Sequence, residues 1–153
     1  MYHHETVGTN SRLDALQAAI LRAKLPHLDR WASMRRENAA LYCELMDGVD
    51  GLQLPFVPEG HTPVFNQFTV KVNRRDDLRN NLSEKGIGTG VYYPVPLHLQ
   101  DCFSQLGYDE GDLPVSEGLS RSVLSLPIFP GLAREEIETV CESVVSFLQS
   151  EGS

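Results

Sequence analysis

Gly8-Thr9-Asn10-Ser11-Arg12-Leu13-Asp14-Ala15-Leu16-Gln17-Ala18-Ala19-Ile20 reads as the start of a helix with polar groups gathered at its mouth. Ser11 and Asp14 stand three apart, the spacing at which a hydroxyl accepts from a first-turn amide while the acid reaches back to the cap. Leu13, Leu16, Ile20 and Ala23 then recur at helical intervals, which predicts a helix over about residues 12–25. A helix start leaves unpaired N–H groups and a partial positive charge, so Asn10 and Arg12 beside it would suit a phosphate. The same residues also describe an ordinary cap followed by a solvated arginine.

Downstream, Pro26 lacks an N–H and disfavours helical angles at Leu25, so a break or kink is expected before a second helix with Leu28, Trp31, Tyr42, Leu45 and Met46 inward. Gly48 and Gly51 should end it. Residues 52–63 hold Pro55, Pro58, Gly60 and Pro63 without a period and read as a loop. The period then becomes two: Val64, Asn66, Phe68, Val70 and Val72 share one face of an expected strand. Asp76 and Asp77 open a short helix carrying Leu78 and Leu82, with Gly86 as its stop. A second strand is expected over Ile87 to Tyr93, running into the stiff bend Pro94-Val95-Pro96. Leu97 to Leu106 and Leu113 to Val123 read as helices and Leu124 to Leu126 as a third strand. Ile137, Val140, Cys141, Val144, Val145 and Leu148 form the apolar stripe of a last helix behind Glu135 and Glu136. Short strands between one-sided helices predict a small sheet with helices packed mainly on one face, although the strand order is not legible.

The 153 residues carry 21 acids against 13 bases, a net charge of −8, so a nucleic-acid partner, which needs clustered basic surface, is not expected. No apolar run approaches the roughly 18 residues of a membrane span, and without a basic segment leading into an apolar one a signal peptide is not expected. Cys43, Cys102 and Cys141 are odd in number and widely spaced. That pattern supports neither a disulfide framework nor a metal site, and reads as buried thiols in a reducing cytoplasm.

Residues 8–20, the pair Arg35-Arg36, Phe65-Asn66-Gln67-Phe68, the run from Gly86 to Gln100 containing Tyr92-Tyr93-Pro94-Val95-Pro96-Leu97-His98, and Leu124-Ser125-Leu126-Pro127-Ile128-Phe129-Pro130 together resemble the C-terminal part of the DegT/DnrJ/EryC1/StrS sugar aminotransferases. The resemblance implies an α/β fold of the α+β type, the small C-terminal domain of a fold-type I aminotransferase preceded by a long connecting helix. On that basis residues 1–27 are the remnant of a large domain with the start of the connecting helix, and residues 28–153 are the small domain.

It also implies an enzyme that uses pyridoxal 5'-phosphate (PLP) to move an amino group onto a keto group of a nucleotide-linked sugar, in a homodimer, for polysaccharide, cell-wall or antibiotic sugar synthesis. The cofactor's lysine lies upstream of the Gly-x-Asn-x-Arg segment in such enzymes. Lys24, Lys71 and Lys85 are the lysines here, and none matches it, so the chain alone is expected to be inactive and to bind no cofactor. Asn10 matches the asparagine that bonds the PLP phosphate of the neighbouring subunit, and Arg12 the arginine lining the nucleotide-sugar site.

Tyr92, Tyr93 and His98 stand around the proline bend, a rigid place from which to aim polar groups at a sugar. Relatives commonly carry His-Tyr-Pro where this chain has Tyr92-Tyr93-Pro94, so the match is direct at Tyr93 and altered at Tyr92. Tyrosines at a strand end equally suit a half-buried core, and His98 is open between a structural and a substrate-proximal place. Asn66 reads as structural, His27 and His61 as solvated, and Arg35-Arg36 as an exposed helix face. Two alternatives stay open: a stand-alone, self-associating binding module, and a sugar dehydratase of the same family.

Overall fold

The computed structural model of the chain describes residues 3, 5–8 and 13–150. Ser11, the expected first member of the capping box, lies outside the described residues. Asp14 is itself the cap of α1 (Ala15–Lys24), its carboxylate accepting from the Gln17 N–H at 2.8 Å. The helix therefore begins about a turn later than expected, because an extended aspartate satisfies a first-turn amide as well as a serine does. Pro26 does not stop the chain. It sits at the start of a 3-10 turn, Leu25–His27, that runs directly into α2 (Leu28–Leu45), where its fixed φ suits the helical turn.

α1 buries none of its residues, and Leu13, Leu16, Ile20, Leu21 and Leu25 are exposed, Leu16 to 73%. Leu28 is exposed too, against expectation. Only the later turns of α2 enter the core deeply, through Ala39, Tyr42 and, just past the helix end, Met46.

Among the described residues the sheet has three antiparallel strands in the order β1 (Leu52–Gln53), β2 (Phe68–Val72), β3 (Val123–Leu126). Phe68 pairs with Leu126 and Val70 with Leu124, so these four side chains share the buried face with Val72. The intervening pair, Thr69 and Ser125, joins hydroxyls 2.8 Å apart on the other face. β2 starts four residues later than the alternation suggested. Phe65 has a φ of 45°, which turns the chain out of extended geometry, and Arg35 Nε donates to the Val64 carbonyl at 3.2 Å. Asn66 is consequently exposed outside the strand, and Arg35 is a half-buried tie between α2 and this loop rather than part of a free face. Leu52 and Gln53, expected in a loop, pair with Val72 and Lys71.

α2, α3 (Arg75–Glu84) and α5 (Arg134–Gln149) close over the inner face, α5 touching both others. The Tyr42 ring stacks on Phe68 at 4.8 Å, and its hydroxyl donates to the Pro127 carbonyl at 2.9 Å. Asn38 Nδ2 donates to the Phe129 carbonyl at 3.0 Å, so α2 grips the segment leaving β3 at two points. α3 stops at Gly86 as expected. Its φ of +75° lets the Gly86 N–H reach Ser83 and the Ile87 N–H reach Leu82, a Schellman closure.

The expected strand over Ile87 to Tyr93 reduces to one bridge, Gly90 with Ser125, exchanging hydrogen bonds of 3.0 and 2.7 Å. Proline cannot donate to a ladder, so pairing has no way to continue through Pro94 and Pro96. The helix expected over Leu97 to Leu106 is two 3-10 turns, Leu97–Leu99 and Asp101–Leu106, separated by an extended Gln100. The buried Gln100 amide reaches back to the Val95 carbonyl at 3.4 Å. α4 (Pro114–Ser122) and β3 lie within a residue or two of expectation.

Candidate functional site

Two segments leave a cleft of about 590 Å³ between them. One wall is the proline bend, contributing Tyr92, Tyr93, Pro96 and Leu97; the other is α4, contributing Ser116 and Leu119. Both tyrosines are exposed, Tyr93 to 64%, and their rings meet edge to face at 5.7 Å. Glycine at position 90 makes this possible: a Cβ there would stand 2.6 Å from the Tyr92 ring. Two phenol hydroxyls over apolar walls can hydrogen-bond and stack on a ring-shaped polar ligand.

Behind the walls lie buried polar groups. His98 and Glu117 side chains are 5% and 3% exposed, with Nε2 and Oε1 3.0 Å apart. Since an ionised carboxylate only accepts, Nε2 is the donor. Glu117 also accepts from the Gly111 N–H, at 2.9 Å to Oε1, and from the Leu113 N–H at 3.2 Å. Burial pushes the Glu117 carboxyl up, but hydrogen bonds from Gly111, His98 and Leu113 outweigh it and hold the group below its ordinary range. Arg75 Nη1 donates to the Ser120 and Val123 carbonyls at 3.1 and 3.0 Å, closing the end of α4 where helix carbonyls lack partners.

The structure thus brings Tyr92 and Tyr93 together on one cleft and places His98 behind the wall, where its ring stands edge-on to Tyr108 at 6.1 Å. Its Nε2 is taken by Glu117, so it supports the cleft instead of lining it. Asn10 and Arg12 lie outside the described residues. Glu117 and Arg75 were missed in the sequence. Neither left a signal there: Glu117 shares its helix face with the exposed Leu113 and Arg121, and Arg75 stands in a run of charges that reads as a solvated helix start. His61 is exposed, and His27, also exposed, lies 5.5 Å from the Trp31 ring. Cys43 is half-buried and Cys102 and Cys141 are buried, all free. Among the described residues no cluster of His, Cys, Asp or Glu could hold a metal ion, and no helix is long and apolar enough to cross a membrane.

The sequence profile of the DegT/DnrJ/EryC1/StrS aminotransferase family matches residues 1–145. The chain belongs to that family. Two curated relatives are a protein named pleiotropic regulatory protein from Geobacillus stearothermophilus, 47% identical over 95% of this chain and 40% of its own length, and the dTDP-3-amino-3,4,6-trideoxy-alpha-D-glucose transaminase of Streptomyces venezuelae, 46% identical over 94% and 38%. The crystal structure of S. venezuelae DesV superposes with a TM-score of 0.87 at 44% identity, covering 97% of this chain and 40% of that one. The chain therefore spans about 40% of the length of these DegT/DnrJ/EryC1/StrS proteins, as their C-terminal portion would, and its fold is that of fold-type I sugar aminotransferases.

The described residues do not by themselves fit the family's cofactor. Lys24, Lys71 and Lys85 are all exposed and none lines the cleft, so the cleft offers no amine for the cofactor's carbonyl.

Proposed function

We propose that the chain is the C-terminal portion of a PLP-dependent aminotransferase acting on a nucleotide-linked keto sugar, contributing a substrate wall and contacts between subunits while the cofactor's lysine comes from sequence upstream. The supporting observation is a match along nearly the whole chain to about 40% of sugar transaminases, joined to an aromatic cleft that holds no lysine. Tyr92 and Tyr93 face the sugar, and His98 acts on it only through the wall it supports. Asn10 holds the PLP phosphate of the neighbouring subunit and Arg12 lines the nucleotide-sugar site. The setting is the cytoplasm.

The exposed stripe from Leu13 through α1 to Leu28 at the start of α2 is the surface that the remaining portion of the enzyme or a second subunit covers. The same stripe favours one rival, a self-associating binding module, since an apolar face of this kind rarely stays bare. Light scattering with and without dTDP-glucose separates them: the module requires an oligomer that responds to the ligand. The main reading is tested by assaying the chain alone for amino transfer from glutamate to a keto nucleotide sugar, where no turnover is expected. Turnover by this chain without another subunit, or DNA upstream of codon 1 with no in-frame lysine-bearing segment, would overturn it.

A further inference from the structure

The buried pair behind the cleft sits one residue away from the cleft's lining on both sides. Leu97 lines the cleft and His98 points behind it; Ser116 lines the cleft and Glu117 points behind it. The two walls come from segments 19 residues apart, one a proline bend with 3-10 turns and the other a helix. Neither the bend nor α4 belongs to the three-stranded ladder. We propose that Glu117 is a positioning residue whose carboxylate, held by His98 Nε2 and by the Gly111 and Leu113 amides, sets how far the Tyr92–Tyr93 wall stands from α4.

The geometry favours this over a general stabilising role. The core lies on the other side of β2 and β3, built from Tyr42, Phe68, Leu78, Leu82 and Leu124, and neither His98 nor Glu117 is part of it. What the carboxylate joins is local: the bend through His98, the turn before α4 through Gly111, and the residue capping α4 through Leu113. Three donors on one buried carboxylate define a position more narrowly than apolar contact does, because hydrogen bonds lose strength steeply with distance and angle. The importance of this spacing for a sugar rests on the function proposed above. The spacing itself is measured without ligand, so failure here is distinguishable from failure of that reading.

The test is NMR on the whole chain with Glu117→Gln, His98→Gln and His98→Leu. Glutamine at 117 keeps the shape but presents an N–H₂ where an acceptor is needed. Glutamine at 98 keeps a donor in place of Nε2, and leucine keeps none. In E117Q and H98L the Tyr92 and Tyr93 ring signals and the Leu119 methyls should shift, with Gly111 and Leu113 amides exchanging about tenfold faster, the equivalent of one lost hydrogen bond. Val70 and Leu124 amides should keep their protection, and H98Q should restore the native cleft signals. Unmoved tyrosine rings in E117Q and H98L would overturn the proposal. If E117Q fails to fold, the two His98 variants decide: rings moved by leucine but not glutamine support the proposal, and rings moved by both or by neither overturn it.

Discussion

Tyr42 unites two interactions of different strength, and replacing it in two steps separates them. Tyr42→Phe removes only the hydroxyl that donates to the Pro127 carbonyl at 2.9 Å. That carbonyl belongs to a half-buried residue which water can still approach, so the loss falls near the net value of an ordinary hydrogen bond, about 1 kcal/mol. Tyr42→Ala also deletes the fully buried ring stacked on Phe68 at 4.8 Å, for which about 3–5 kcal/mol is expected. In a chain of 153 residues the unfolding entropy is about 0.3 kcal/mol/K, so the phenylalanine variant should melt about 3 °C lower and the alanine variant about 10–15 °C lower.

Raising the pH sharpens the contrast. Burial, with the nearby Cys141 and Glu136, lifts the Tyr42 hydroxyl far above its ordinary 10.0. A raised folded-state value means its stabilisation is whole below pH 10.0 and lost as pH climbs toward the folded value. The gap between native and Y42F should therefore shrink above that point. Cys141, pushed up to about 12 mainly by burial, is present in both proteins. Thermal melts followed by circular dichroism supply the measurement; equal melting points for Y42F and Y42A, or a native–Y42F gap that widens with alkalinity, would refute the reasoning.

Gly90→Ala should displace the Tyr92 ring, since the new methyl would lie 2.6 Å from it and the ring is 42% exposed and free to swing. The cross-peak between the Tyr92 and Tyr93 rings should vanish while the melting point falls by no more than about 3 °C; an intact cross-peak would contradict the packing described. Acid should act through Glu117. Its carboxyl is held below the ordinary 4.5, so its contribution is present above that value and lost as pH falls through the lower folded one. Melting points measured from about pH 5 downward should drop more steeply in the native chain than in E117Q, and parallel curves would count against the assignment.

The alternation Phe68, Val70, Val72 and the stripe Ile137, Val140, Cys141, Val144 mark core residues in the sequence alone, because a side chain's face follows from its period once the element is known. Two-residue β1 was invisible for the converse reason: Leu52 and Gln53 are too few to show a period, and only the neighbouring Lys71 and Val72 hold them extended. Ile87 to Tyr93 looked like a strand by composition. Its partner decided otherwise, since β3 offers it pairing only at Ser125.

Taken by itself, the sequence determined the family, the helices with a clear stripe and the strands β2 and β3. Each is written in residues adjacent along the chain or in one period. Tertiary structure alone decided that α1 stands bare while α2 is half in the core, that His98 turns away from the cleft toward a glutamate 19 residues on, and that Arg75 closes a helix 45 residues away. Those facts depend on which segments meet, and a buried charge acquires its partner only when the chain that carries it has folded around both.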